Sequence, residues 1–253
     1  MKFLFQILII FFFTSVILAR ETGETEITTE DGIEVFQNEK YYLLKKNVNI
    51  SSDNFNLKAD IVKVKFNKSL YDITKIEANS NVIFNSIVSN IKGSGESLKF
   101  NVDLEEIKIE GLNSELFSEN LQMYSDGIII VNNSNGKFLL DGNNSSLVND
   151  SIIVKGSYID GVFENNLNQK KITFLNVIDE KKSYVKNDDI EMYAKKIKFD
   201  NKSSLIELID DVSIIRNGEK IIGDYGTLDT KNNSYKIKSN DETKVKVIIQ
   251  NDG

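Results

Sequence analysis

Cysteine, histidine, proline and tryptophan are all missing from the 253 residues of this chain. Without cysteine there are no disulfides, thiol nucleophiles or thiolate metal sites; an oxidising compartment permits disulfides without requiring them, so location stays open. Without histidine there is no Ser-His-Asp triad, no imidazole base and none of the commonest metal ligands. The sequence therefore reads as non-enzymatic, with no cofactor and no metal. Without proline no strand is marked as an edge or a stop. Basic charge is also short: 31 Lys plus Arg stand against 38 Asp plus Glu, a net charge of −7. The lysines are interleaved with acids rather than clustered, which argues against a nucleic-acid partner.

What is present is an ordinary globular composition, 40% hydrophobic and 27% charged, enough to bury a core in one elongated domain or two small ones. Residues 1–19, MKFLFQILIIFFFTSVILA, place one lysine before an apolar run and end on Ala19. That is the layout of a cleaved secretory signal, with the apolar run shorter than a relaxed membrane span of roughly 20 residues; a retained anchor is the alternative. Residues 20–32 are polar and read as a tether. The ordered body is expected over 33–250.

Within the body, alternation with a period of two keeps returning. Val62, Val64 and Phe66 alternate with lysines; Leu98 and Phe100 flank Lys99; Ile107 and Ile109 flank Lys108; Ile197 and Phe199 flank Lys198; Tyr235 and Ile237 flank Lys236. Such spacing puts Val, Ile and Phe on one strand face and Lys or Asn on the other, so the fold class is all-β with half-buried antiparallel strands. In the first such strand Leu57, Ala59 and Ile61 share a face, and then Val62, Val64 and Phe66 take over. That change of parity predicts a bulge or bend. Clusters such as NNSNG (132–136), DGNNSS (141–146) and KNNS (231–234) read as turns between strands.

Three strand cores recur: LKADIVKVKF (57–66), LQMYSDGIII (121–130) and IEMYAKKIKF (190–199). Taking Ala59, Ser125 and Ala194 as equivalent, each is followed roughly 30 residues on by a glycine, Gly93, Gly156 or Gly223. The chain accordingly divides into two or three repeat units, at about 33–112, 113–165 and 166–250, the middle one being the least regular.

The chemistry that the residues allow is limited. Three acid doublets, Asp188 with Asp189, Asp210 with Asp211 and Glu105 with Glu106, are formal candidates for carboxylate hydrolysis. Adjacent residues on a strand point to opposite faces, so solvated turn or edge charges are the plainer reading. The DGNNSS stretch lacks the alternate acids and terminal Glu of a calcium loop. Gly93-Ser94-Gly95 has no following Lys-Ser/Thr and no helix, so it reads as a turn and not as a phosphate loop.

The stretch ITTEDGIEVFQNEKYYLLKKNVNISSDNFNLKADIVKVKF (27–66), with ITKIEANSNVIF (73–84), resembles the OstA/LptA family of periplasmic lipopolysaccharide-transport proteins. The matching positions are Gly32, Ile33, Glu34 and Tyr42; Asn47 and Val48; Leu57, Ala59 and Asp60; then Ile73, Ile76, Ala78, Asn81 and Val82. In the closing unit Gly223, Leu228 and Asp229 match the family's Gly-x-x-x-x-Leu-Asp strand. The likeness is weakest over 132–187. Lys46 and Ser80 stand where the family often has Gly before Asn-Val. The membrane-anchored LptC-type sibling shares the fold and keeps its N-terminal helix.

The resemblance implies a twisted antiparallel β-jellyroll of OstA-like strand units, located in the periplasm, whose dry interior takes lipopolysaccharide acyl chains. It implies as partners the other jellyroll proteins of the transport bridge at the inner and outer membranes, with a head-to-tail homo-oligomer as a further assembly. The expected interior, lipid-facing residues are Leu57, Ala59, Val82, Phe84, Leu98, Phe100, Ile107, Ile109, Met123, Ile128, Ile130, Met192, Ile197, Phe199, Val212, Ile214, Leu228 and Ile237. Each has an alternative reading as plain packed core. The rival to a carrier is an exported structural or adhesin-like β-solenoid, a regular coil with a filled interior.

Overall fold

A computed structural model describes residues 24–166, 169–240 and 243–249; the leader expected at 1–19 lies outside the described residues. Among the described residues, eighteen strands form one sheet in which every pairing is antiparallel. Two short strands, β1 (Glu26–Thr28) and β2 (Ile33–Phe36), lie end to end along β3 (Tyr41–Ser51), and the meander continues through β4 (Phe55–Phe66), β5 (Ile73–Ser86) and β6 (Ile91–Asn101). Short strands β7 (Glu106–Glu110) and β8 (Ser114–Ser118) share β6; β9 (Leu121–Ser125) covers β8 and β10 (Ile128–Asn132) covers β7. Both then pair with β11 (Lys137–Asn149). Beyond it come β12 (Ile152–Asn166), β13 (Gln169–Asn187), β14 (Ile190–Asp200), β15 (Leu205–Arg216) and β16 (Glu219–Asp229). The sheet ends with β17 (Ser234–Lys238) and β18 (Lys246–Ile249), both on β16. An antiparallel meander is not a regular coil, so the solenoid alternative does not describe this molecule.

The long strands bend at one line across the sheet. Register shifts fall between Lys45 and Val48, Lys58 and Ile61, Asn79 and Val82, Asp141 and Ser145, Lys155 and Tyr158, Ile178 and Ser183, Tyr193 and Lys196, and Ile209 and Val212. The gaps between the paired short strands fall on the same line. A row of aligned bulges folds a sheet, and here it makes two leaves that face each other: the Phe55 and Phe100 rings, one from each leaf, stack with centroids 6.4 Å apart. The bulges form a spine along one side. The hairpin turns form two lips along the other.

The bend is encoded locally. Consecutive left-handed residues build it at Lys46-Asn47 (φ 62° and 50°), Ser80-Asn81 (63° and 56°) and Asp210-Asp211 (63° and 53°). Asparagine and aspartate tolerate this region better than most side chains. The parity change read from the first core is this bend: Leu57 and Ala59 are buried before it and Val62, Val64 and Phe66 after it, while Ile61 is turned out and 41% exposed. Ser80 holds the strained conformation with a side chain that gains nothing from it. Ser80→Gly is expected to stabilise the fold by about 0.5–1 kcal/mol, seen as a higher urea midpoint at unchanged slope; an unchanged or lower midpoint contradicts the assignment of strain there.

Several expectations change. Ordered structure begins within the supposed tether, since β1 pairs with β3 and the Glu30 amide donates to the Lys46 carbonyl at 3.0 Å. Gly93-Ser94-Gly95 is not a turn but the middle of β6, paired with Phe84, Ile83 and Val82. DGNNSS lies inside β11, where it forms the bulge and holds Asp126 through the Asn144 amide side chain at 3.0 Å. The repeat equivalence also moves by two residues. The glycine opposite the first residue beyond the bend is Gly95 (opposite Val82), Gly156 (opposite Ser145) and Gly223 (opposite Val212), so Gly95 and not Gly93 is the counterpart.

Candidate functional site

The two inner faces supply one apolar cluster running from Tyr42 in β3 to Leu228 in β16. Each fully buried Leu, Ile or Val in it contributes about 1.5–3 kcal/mol. The leaf-to-leaf space is not uniform. Toward the N-terminal end, Phe55, Phe84 and Ile91 from one leaf and Leu98, Phe100 and Ile107 from the other surround a cavity of about 210 Å³, with Ser86, Ser89, Glu105 and Asn133 at its mouth. Toward the C-terminal end, Ile152 and Val185 face Ile172, Leu175, Ile197, Phe199 and Ile206 across a cavity of about 130 Å³. It opens onto a lip cleft that shares Ile152, Ile172, Asn187 and Phe199 and adds Asn120, Asn149 and Lys170. Both cavities are smaller than the roughly 300–1,000 Å³ of a typical ligand pocket. Each has room for part of an apolar chain as it stands.

Between them the interior is solid. Leu116, Leu121, Met123, Ile129, Leu140 and Leu147 have no exposed surface. At the lip beside this packed stretch lies Lys170, only 3% exposed. It reaches from one leaf to the rim of the other: its amide donates to Asn120 Oδ1 at 2.9 Å and its carbonyl accepts from Asn149 Nδ2 at 2.9 Å. Its ammonium donates to Asn133 Oδ1 at 3.0 Å and sits 4.4 Å from the centroid of the Phe163 ring. Burial holds the Lys170 pKa below its usual value, opposed in part by the nearby Glu119 carboxylate.

Of the expected interior residues, Leu57, Ala59, Val82, Phe84, Leu98, Ile107, Ile109, Met123, Met192, Ile197, Val212, Ile214 and Leu228 are buried on the inner faces, and Phe100, Phe199 and Ile237 are half-buried against them. Phe84, Leu98, Phe100 and Ile107 meet at the first cavity, and Ile197 and Phe199 at the second. Ile128 and Ile130 are a correction: they point to the outer face, and Ile129 and Val131 point in, at 0% and 1% exposure. With apolar side chains at all of 128–131, alternation alone cannot choose a face; pairing of Ile129 with Ile109 and Leu140 does. The signal was available in the parity of Leu121, Met123 and Ser125, which runs on into Ile129 and Val131. Sequence reasoning missed Lys170 and its asparagines, although Lys170 keeps the inward parity of Ile172.

The acid doublets do not come together. Asp210 and Asp211 are bulge residues on the spine, with Asp211 3.4 Å from Lys182. Asp188 and Asp189 lie at the lip turn between β13 and β14, where Asp189 accepts from Arg216 at 2.9 Å. Glu105 is the turn residue before β7, and Glu106 begins that strand.

No protein-family model matches the chain, and no curated protein matches it. Among solved structures, the chain is similar to the crystal structure of LptH, the LptA-homologous periplasmic component of the lipopolysaccharide transport device of Pseudomonas aeruginosa. That likeness has a TM-score of 0.42 at 14% identity and covers 52% of this chain and 95% of LptH.

Proposed function

We propose that this chain is an exported, non-enzymatic jellyroll that carries lipopolysaccharide across the periplasm, sheltering acyl chains between its leaves. The observation that supports this reading best is the apolar interior that extends along the sheet and, among the described residues, ends on both sides at an uncovered strand. Among the described residues, β1 and β2 at one end pair with β3 alone and β17 and β18 at the other pair with β16 alone, and Ile33, Val247 and Ile249 are 51%, 54% and 62% exposed there. Open strand edges beside an apolar cross-section suit strand addition, in which main-chain hydrogen bonds give affinity and side chains give register. The jellyroll proteins of the inner and outer membranes, or a second copy joined head to tail, are the fitting partners. Acyl chains need apolar area and shape rather than catalytic groups, and the net negative charge favours leaving phosphorylated sugars in solvent.

Photocrosslinking amino acids placed at Phe84 and Phe199 are expected to capture lipopolysaccharide in cells, while one at the outward-facing Ile130 captures none. Absence of lipid at both inner positions, in protein that folds, removes the carrier reading. Equal capture at all three positions would mean nonspecific surface contact and remove it as well.

A further inference from the structure

The two apolar cavities are separated by a stretch whose inward leucines, Met123 and Ile129 have no exposed surface, and the lip beside that stretch is tied shut by polar contacts that no other described part of the lips shares in this number. Lys170 comes from the leaf that carries Phe163 and Asn133, and its main chain bonds both Asn120 and Asn149 on the opposite rim. Asn149 also donates to the Asn120 carbonyl at 3.4 Å, and Asn120 Nδ2 donates to Asp150 at 2.8 Å, so the rim that Lys170 grips is itself braced. Asn133 belongs at once to the mouth of the first cavity and to the Lys170 ammonium, while Lys170 lines the cleft that opens into the second. The polar crossing is thus the shared wall of the two compartments.

We propose that Lys170, with Asn120, Asn133 and Asn149, is a gate that divides the interior into two acyl-chain compartments, and that a chain passes from one to the other only when the gate and the packed leaves beneath it part. This rests on the lipid-carrier reading above. A buried polar network of this kind is favourable while every member is satisfied and unfavourable once one member is lost, which gives the crossing two distinct conditions. Below it the core offers no bypass, because the inward side chains from Leu116 to Leu147 already fill the space between the leaves. The gate therefore sets the length of continuous apolar surface that a ligand meets: a short chain, or part of one, per compartment in the closed form, and a through-path in the open form.

The test uses the purified full chain, a fatty acid carrying a photoreactive diazirine, and mass-spectrometric mapping of the adducts, alongside amide hydrogen exchange. In the natural sequence adducts are expected on residues of the two cavities, such as Phe100 and Phe199, and not on Leu121, Met123 or Leu147. In the Asn120→Ala, Asn149→Ala double variant, which removes the side chains that bond the Lys170 main chain from the opposite rim, adducts are expected on the middle residues too. Exchange in β8, β9 and residues 145–149 should be faster by roughly tenfold, as expected for an opening equilibrium that has lost a buried hydrogen-bonded crossing. Strands β4 and β5 should exchange at an unchanged rate. Middle adducts as strong as cavity adducts in the natural sequence overturn the gate. If neither protein is labelled anywhere, the carrier reading fails, and hydrogen exchange decides the rest: unchanged exchange in the double variant overturns the crossing as a latch, and faster exchange confined to the middle supports it. Should the double variant not fold, Asn149→Asp, which keeps the side-chain shape and removes the donor, is read in the same way.

Discussion

Gly156→Val is expected to lower the unfolding free energy by about 3 kcal/mol or more, which is a large fraction of the roughly 5–15 kcal/mol that holds a typical domain together. Gly156 is buried on the inner face of β12, the last paired residue before the strand bends at the spine. A Cβ at this position would lie 2.7 Å from Val177 Cγ1 and 3.2 Å from the Ile178 carbonyl oxygen. Val177 is itself fully buried, so it has nowhere to retreat, and the main chain of β13 would have to move along with its pairing to β12 and β14. Valine adds two further carbons to that conflict. Urea unfolding is the measurement: a midpoint shift at unchanged slope is expected, and a loss smaller than about 1 kcal/mol would mean that the leaves are not in contact at the spine.

The position has counterparts at both ends of the molecule. A Cβ on Gly95 would come 2.5 Å from Ile109 Cγ2, and one on Gly223 would come 2.5 Å from Ile237 Cγ2. These three glycines serve one physical purpose, which is to let the opposite leaf press onto the strand just before its bend. The sequence pattern already pointed to a glycine recurring behind each core. It misplaced the first by two residues because Gly93 and Gly95 both lie inward in β6, and a Cβ on Gly93 would also be crowded, 2.9 Å from Ile109 Cδ1.

Strands were legible wherever apolar and charged residues alternate, and the bend was legible where alternation changes phase, as between Ala59 and Val62. Three features were hidden for physical reasons. Small polar residues serve a bulge within a strand as well as a turn between strands, so DGNNSS gave no means of telling one from the other. A run that is apolar on every position, as at 128–131, has two dry-looking faces, and only its hydrogen-bonded neighbours select the inner one. β1 is held by main-chain pairing at the edge of the sheet, and the EIT tripeptide carries almost no amphipathic signal to announce it. Within the interior, alternation identified most of the inward side chains and said nothing of where space remains between them. Free volume depends on how two leaves distant in sequence meet, and the lysine that crosses the lips is recognisable only once Asn120, Asn133 and Asn149 are brought beside it.

The uneven interior leads to the second large effect. Leu147→Ala is expected to cost about 3–5 kcal/mol, toward the upper part of the range for a buried leucine. Leu147 pairs with Met123 on one side and Val154 on the other, and all three are fully buried. The surroundings are fixed, on the spine side by the Ser125 and Ser145 hydroxyls 3.1 Å apart and on the lip side by the Lys170 crossing, so little collapse into the new hole is possible. Leu98→Ala should cost less, nearer 2 kcal/mol, because the side chain already borders the 210 Å³ cavity, where neighbouring residues have room to move. Urea unfolding of the two variants gives the comparison directly. A larger loss for Leu98→Ala than for Leu147→Ala would contradict a tightly packed middle. In the expected order, the middle of the jellyroll is where the leaves are hardest to part.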